Sequence, residues 1–421
     1  YEEGGVDYPL SYVRWTEGRN LGAVLDCLAR KELQVDDLVT DEVDLDNAPE
    51  AYARILAGGG LGTVIRYPQN EDPTRTIQLA SSSGETSSGE VGVLVVGAGY
   101  FAKTFHLPNL QASSKMKLVG VVSGTGANAR QVAERYQAAF CSTDYEEGLS
   151  QPDVDAVILA TRHDLHVPQA LAAIAKGKHV LMEKPLALSG EDLKKLNEAL
   201  KANPVRFAVG FNRRYAPMTV QLKSLLANRQ GPVQGVYRMN AGRLPRDHWV
   251  NDPVEGGGRI LGEACHVFDW FTYLLDAQPQ TMQSTMLRSA DVEVIDEDNL
   301  TATVGYDDGS AMTLMYNTAG AKQYPKESCD LFAPGLAATL VDYKELRWVG
   351  SSSGNKSSRV EDKGQGEEMK VWREYLVNGN EARVATFPEA AISTWVTLCA
   401  LEAAKTGETI DIKRTFASLM E

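Results

Sequence analysis

Hydrophobic and polar positions along the 421 residues follow two rhythms. From Val91 to about residue 202, short continuous apolar runs alternate with stretches whose apolar residues recur every three or four positions. The runs 91–96, 117–123, 156–160 and 179–182 are predicted strands, and helices are predicted over 102–111, 127–136, 166–175 and 191–202. Strands separated by helical crossovers imply a parallel, doubly wound sheet, the α/β Rossmann architecture. After about Gly231 the rhythm changes to longer strands in succession, over 233–240, 281–287, 300–306 and 310–316, with one long helix over 262–275. That predicts a following α+β domain built on a large, mostly antiparallel sheet.

The first 80 residues have a pattern of their own. Leu21, Val24, Leu25 and Leu28 recur at helical spacing in 21–31, a second helix follows Asn47 and Pro49 over 48–57, and 61–67 reads as a strand. So short a piece has a thin core. Residues 81–90, SSSGETSSGE, contain nothing apolar and read as a linker. A second polar stretch, 351–365, reads as a surface loop. The predicted organisation is therefore an N-terminal region 1–80, a linker 81–90, a Rossmann domain 91–210 and an α+β substrate-binding and oligomerisation domain 211–421.

Composition narrows the function class. Hydrophobic content of 43% and charged content of 23% are those of a soluble globular chain. No apolar run approaches the roughly 20 residues of a membrane span, and the acidic start is unlike a signal peptide. A formal net charge of −14 argues against a nucleic-acid partner, while leaving room for a small anion in a locally basic pocket. Five scattered cysteines form neither a disulfide framework nor a thiolate metal cluster, and a reducing cytoplasm is expected.

Candidate chemistry begins at the first strand's end. Gly97-Ala98-Gly99-Tyr100-Phe101-Ala102 is G-x-G-x-x-A in a strand–turn–helix setting. Gly97 permits the tight turn, Gly99 lets a pyrophosphate approach the backbone, and small Ala102 allows helix–strand packing. The helix N-terminus then offers free N–H groups to the phosphates, with Tyr100 and Phe101 beside them. The second strand ends without the acidic residue that favours NAD. Ser123 and Thr125 can bond a ribose hydroxyl or a 2′-phosphate, and Arg130 is either a phosphate partner or an exposed helix residue. NAD is the expected cofactor, with NADP left open.

Two further residues carry proton chemistry. Lys184 ends a predicted strand before Pro185 and points at the crevice where such folds bind ligands. It is either an acid/base group beside the nicotinamide or a surface lysine paired with Glu183. Glu263 and His266 lie three apart on a predicted helix, a spacing that puts carboxylate and imidazole on one face. The carboxylate would fix the tautomer of His266 and raise its pKa; a plain helix-face pair is the other reading. His163 and His166 have H-x-x-H spacing without an evident third ligand, so no metal site is expected.

Five ordered motifs then meet a known pattern: the glycine turn, 160–166 (ATRHDLH), 177–185 (GKHVLMEKP), 210–215 (GFNRRY) and 256–266 (GGGRILGEACH). From Val91 to about Ala404 the chain resembles the Gfo/Idh/MocA oxidoreductases, and within them the bi-domain enzymes of bacterial carbohydrate gene clusters. In those a zinc-alcohol-dehydrogenase-like region comes first, so 1–80 looks like a remnant of a medium-chain dehydrogenase without its zinc ligands. The resemblance implies that Lys184 and His266 are catalytic, with Glu263 standing where the family usually has Asp. It implies that Thr161, Arg162, His166, Glu183 and Lys184 border the cofactor, Arg162 replacing a frequent Pro. It implies a sugar pocket drawing on Arg213, Tyr215, Arg246, His248, Trp249 and Tyr324, with Lys326 as a weaker candidate. The implied function is NAD(P)-dependent hydride transfer with a sugar-type hydroxyl or ketone in a homo-oligomer. Two alternatives follow: an NAD-dependent glycosidase using transient oxidation, elimination, water addition and re-reduction, and a cofactor-binding regulator.

Overall fold

A computed structural model describes residues 8–67, 74–79, 89–289, 295–350 and 353–421. The chain forms two compact units, Tyr1–Thr74 and Arg75–Glu421.

In the first unit, Thr16 caps the helix Glu17–Ala29 by accepting the Arg19 N–H, at 3.3 Å. Parallel strands Val39–Asp44 and Gly62–Arg66 are bridged by the helix Ala48–Leu56. The helices that periodicity predicted are present, yet the apolar faces are not covered: Leu21 is 67% and Leu25 64% exposed. Ala51 is the one buried hydrophobic residue among the described positions of this unit. Two strands and two short helices supply too little apolar surface to enclose a core.

The second unit contains two sheets. In the first, strands run in the order Thr76–Gln78, Phe140–Ser142, Met116–Val122, Val91–Val96, Ala156–Leu159, His179–Met182 and Phe207–Val209. All pairs are parallel except the first. Val93, Leu94, Val95, Val157, Ile158 and Leu159 are fully buried, which is why these strands read as unbroken apolar runs. The antiparallel edge strand Thr76–Gln78 was expected to lie in the N-terminal region. It instead extends this sheet, and the first unit stops at Thr74. Most of the stretch 81–90 lies outside the described residues.

Among the described residues the second sheet has nine strands, antiparallel except for Gln234–Asn240 beside Ala311–Asn317. One face packs on the helices Cys265–Leu275 and Phe387–Thr406 around buried Tyr237, Trp270 and Phe271. The polar stretch 351–365 is not wholly loop, because Gly354–Ser357 pairs with Glu345–Gly350.

The chain then returns to the first sheet. Met369, Trp372 and Leu376 of the helix Gln365–Asn378 join Leu107, Leu110 and Val121 in one apolar cluster. Phe387, Ala390 and Ala391 join the cluster on the other face. The boundary read at 210/211 is therefore crossed back by C-terminal helices.

Candidate active site

The strand order reverses at Val91–Val96, which pairs with Met116–Val122 on one side and Ala156–Leu159 on the other. Ligands of such sheets bind beyond the strand ends at this point. Gly97 there has φ +89°, and a Cβ would lie 2.4 Å from the Ala160 carbonyl oxygen and 2.8 Å from the Thr161 nitrogen. No side chain fits. Around Gly99 nothing lies within 4 Å of a would-be Cβ, so the backbone is open to a ligand. Ala102 is 1% exposed against the sheet. The three small residues thus meet the three demands of a dinucleotide's pyrophosphate.

Beside the turn, Asn128 donates to the Ser123 hydroxyl (2.8 Å) and the Ala98 carbonyl (3.0 Å), and accepts from Lys103 (2.6 Å). This brace was not legible, since nothing in the spacing distinguishes Asn128 or Lys103 from other helix residues. Tyr100 is 82% exposed, and Thr125 is also at the surface. Arg130 pairs with Glu134 one turn on (2.7 Å), the surface reading of that residue.

The strand His179–Met182 delivers Glu183 and Lys184. Glu183 was expected to border the cofactor; it is buried and bonded to the His106 ring, Nε2 to Oε1 at 2.8 Å. His166 was also expected there, but its ring is fully buried. Burial holds it neutral, and it donates from Nδ1 to the Pro185 carbonyl at 2.8 Å. Both residues clamp the turn that presents Lys184. The Lys184 amine donates to the Gly262 carbonyl at 2.9 Å. Thr161 abuts Gly97 and donates to Gln169 (2.7 Å).

Lys184 lines a cavity of about 290 Å³ together with Phe101, Phe105, Asn212, Arg213, Glu263, His266, Glu361, Lys363 and Gln365. Phe101 belongs to the phosphate turn, so cradle and cavity adjoin. A larger depression of about 700 Å³ lies near the C-terminus, along Trp395, Cys399 and Arg414. It has no part of the glycine turn and neither Lys184 nor His266, and the smaller cavity is the one with acid/base chemistry.

Two carboxylates of this site each sit between cations. Glu327 accepts two bonds from Arg213 (2.9 and 3.0 Å), meets Lys363 at 2.7 Å, and accepts from the Tyr237 hydroxyl at 2.5 Å. Burial alone would raise its pKa; Arg213 and Lys363 outweigh it and hold the carboxyl well below the usual range. Glu263 meets Lys326 at 3.0 Å, Arg259 at 2.8 Å and the Tyr316 hydroxyl. There too burial is outweighed, by Lys326 and then Arg259, and the carboxyl is brought down to about 2.

The expected Glu263–His266 pair is not formed. Ile260–Ala264 is a π-helical turn leading into the α-helix Cys265–Leu275, and the widened turn breaks the three-residue register between the two side chains. His266 Nδ1 is buried without a partner. Its pKa is not raised but pushed well below the ordinary value, first by burial, then by Arg213, Lys184, Lys363 and Lys326. An orphaned buried ring nitrogen costs about 1–3 kcal/mol, which a ligand hydroxyl facing it would restore.

Of the expected sugar-binding residues, Arg213 alone lines the cavity. Tyr215 is 4% exposed, and its hydroxyl accepts the Ala385 N–H at 3.3 Å, so it is core. Trp249 lies under the Arg162 guanidinium (5.4 Å), edge-on to His163 (4.9 Å) and against His248 (5.9 Å). Arg162 is also ion-paired with Glu255. Arg162, His163, His248, Trp249 and Glu255 form a cluster outside the cavity lining, and Arg246 is exposed. Tyr324 is 54% exposed and carries Arg238 on its ring at 4.3 Å. Asn212, Glu327, Glu361, Lys363 and Gln365 were missed, because no local pattern links such distant positions. Among the described residues no three His, Cys, Asp or Glu side chains are grouped to hold a metal, and no helix is long and apolar enough to cross a membrane.

Comparison with known proteins gives the same outline. Residues 91–211 match the profile of the oxidoreductase family with an NAD-binding Rossmann fold, and 223–333 match the GFO/IDH/MocA C-terminal domain. The 4-carboxy-2-hydroxymuconate-6-semialdehyde dehydrogenase of Sphingobium sp. is 32% identical over 43% of this chain and 58% of its own length. The inositol 2-dehydrogenase of Gluconacetobacter diazotrophicus is 31% identical over 45% of this chain and 55% of its own. The chain thus spans little more than half the length of these curated relatives. Among solved structures, levoglucosan dehydrogenase in complex with NADH and levoglucosan superposes with a TM-score of 0.66 at 19% identity, covering 77% of this chain and 99% of that one. The two profiles together span more than half of the chain, which belongs to the Gfo/Idh/MocA family of oxidoreductases and carries its NAD-binding Rossmann domain.

Proposed function

We propose that this protein is an NAD-dependent oxidoreductase that moves a hydride between the cofactor and a hydroxyl- or ketone-bearing carbon of a small sugar-like molecule, with Lys184 and His266 handling the proton. One observation carries the reading: the Lys184 amine and a neutral imidazole with an open Nδ1 line one cavity that shares Phe101 with the phosphate turn. The family membership and the sugar-type names of relatives such as inositol 2-dehydrogenase support it. Arg130, the candidate partner of a 2′-phosphate, is tied to Glu134 at the surface, which favours NAD over NADP.

The glycine turn would hold the pyrophosphate of a nicotinamide dinucleotide, which when bound would supply the hydride acceptor or donor. Lys184 takes the substrate's hydroxyl proton at Nζ during oxidation and returns it during reduction, with the Gly262 carbonyl orienting the amine. His266 accepts a hydrogen bond at Nδ1 and helps pass the proton on. The surrounding cations disfavour the imidazolium, so the ring holds the proton only briefly. Glu263, saturated by its three donors, positions Lys326 and Arg259 rather than accepting a proton.

The N-terminal unit is read as a remnant of a medium-chain-dehydrogenase-like region without a catalytic part. Its parallel strand–helix–strand unit supports that origin. The assembly is read as a homo-oligomer.

Replacing Lys184 tests the reading. Lys184→Met is expected to lower the rate of NADH formation with sugars and polyols by about 10²–10⁴-fold, leaving the NAD dissociation constant within a few-fold. Near-normal turnover would remove Lys184 from the mechanism. Following aglycone release from aryl glycosides in the same incubations separates net oxidation from redox-neutral cleavage.

A further inference from the structure

The cavity has a charge pattern that goes beyond a generic sugar site. Lys184, Arg213 and Lys363 line it, and Lys326 and Arg259 stand behind Glu263. With Lys184 protonated, five cations face three carboxylates, Glu263, Glu327 and Glu361; with its amine free to take a proton, four do. Asp298 approaches Arg259 from a neighbouring depression outside the cavity lining and, when ionised, brings the surplus down to one positive charge while Lys184 is protonated. The surplus is local, in a chain whose formal net charge is −14.

Two features make this a built site rather than a basic surface. Arg213 is 6% exposed and Glu327 1%, so their pairing is fixed in a low-dielectric wall. His266, 5% exposed, has its Nδ1 unpartnered among these cations. Arg213 spends Nε and Nη2 on Glu327, which leaves the lysine ammonium groups as point donors for whatever enters. Lys184 has the Gly262 carbonyl, not a carboxylate, as its bonded acceptor.

Resting on the oxidoreductase reading above, we propose that the substrate of this site is an anionic monosaccharide or polyol, carrying a carboxylate or phosphate that sits among Lys184, Lys326 and Lys363. A neutral sugar would leave the surplus uncompensated in a half-closed cavity, whereas one acidic substituent balances it. A volume of about 290 Å³ suits a single ring rather than an oligosaccharide. The same substituent would ease proton acceptance by His266, because it opposes the cations that disfavour the imidazolium.

Matched pairs test the charge alone. The NAD-loaded protein is titrated calorimetrically with D-glucuronate, D-galacturonate and D-glucose 6-phosphate against D-glucose and D-galactose, and NADH formation is followed in parallel. An acidic member is expected to bind at least about tenfold more tightly than its neutral partner at low salt, with the ratio shrinking as NaCl is added. The glucuronate and phosphate arms tell carboxylate from phosphate. In K363M the ratio is expected to narrow. K326M, at a half-exposed position that does not touch buried Glu327, should narrow it too if K363M fails to fold. Neutral sugars bound or oxidised as well as the acids would overturn the charge inference and leave the oxidoreductase reading standing. Tight NAD binding with no response to any member of the panel would count against both.

Discussion

At the residue scale, burial decides which ionisable groups do chemistry, and residue type does not report burial. Lys184 and His266 were legible because both belong to ordered motifs, and both do line the cavity. Glu183, His166 and Tyr215 come from the same motifs, yet their side chains turn into the protein and fix the backbone there. Glu368 had no sequence signal. It is 4% exposed with Oε1 unpartnered, and burial, then the Glu183 and Asp269 carboxylates, push its pKa well above the ordinary value. The folded protein therefore keeps a proton that the unfolded chain releases near the usual glutamate value, so stability falls as pH rises above that value. Glu368→Gln removes the ionisable group while keeping its shape. Its melting temperature is expected to exceed that of the parent by a few degrees at pH 8 (about the effect of 1 kcal/mol) and to match it at pH 4. Equal destabilisation at both values would show that Glu368 is not held neutral.

At the scale of elements, what could be read was what repeats. Strands buried on both faces give continuous apolar runs, and 156–160 and 179–182 were placed to within a residue. The helix Phe387–Thr406 escaped because it is buried on nearly every side and so lacks an amphipathic stripe. The π-helical turn Ala102–His106 and the second half of Ile260–Ala264 fall inside the ordinary helices that the pattern predicts, since one extra residue per turn leaves the apolar spacing almost intact. Both flank the cavity, as such turns often do at functional sites. The glycine turn was legible in full, because its demands are steric and each is met by one residue type. Gly97→Ala would drive a methyl group into the Ala160 carbonyl from a φ of +89°. A loss of NAD affinity of about tenfold or more is expected by calorimetry, with circular dichroism reporting that the sheet persists. Unchanged affinity would take the phosphates away from this turn.

For the whole molecule, the predicted pairing of a parallel with a mostly antiparallel sheet holds, but the boundary between them does not stay closed. A late segment packing on an early sheet leaves no mark on either one's periodicity. The large sheet also presents Val236, Met315, Phe332 and Val349 on its outward side, each 47–57% exposed. Four apolar residues on four of five consecutive strands form the kind of patch that subunits cover. Sedimentation velocity is expected to give a dimer or larger species, and a combined Val236→Lys and Phe332→Lys replacement to shift it toward the monomer. A parent protein that sediments as a monomer at micromolar concentration would refute the assembly reading.

The cavity wall has a consequence for how the protein comes into being. Gly97, Lys184 and the strands that hold them leave the ribosome well before Glu327 and Lys363, and Arg213 stays without its carboxylate until then. In chain order the glycine turn and Lys184 come first, the carboxylate partner of Arg213 later, and the helix Gln365–Asn378 that backs Ala102, Leu107 and Leu110 later still. The nucleotide cradle and the substrate chamber therefore share one late wall, and neither is fully backed until residues 363–378 have folded onto the first sheet.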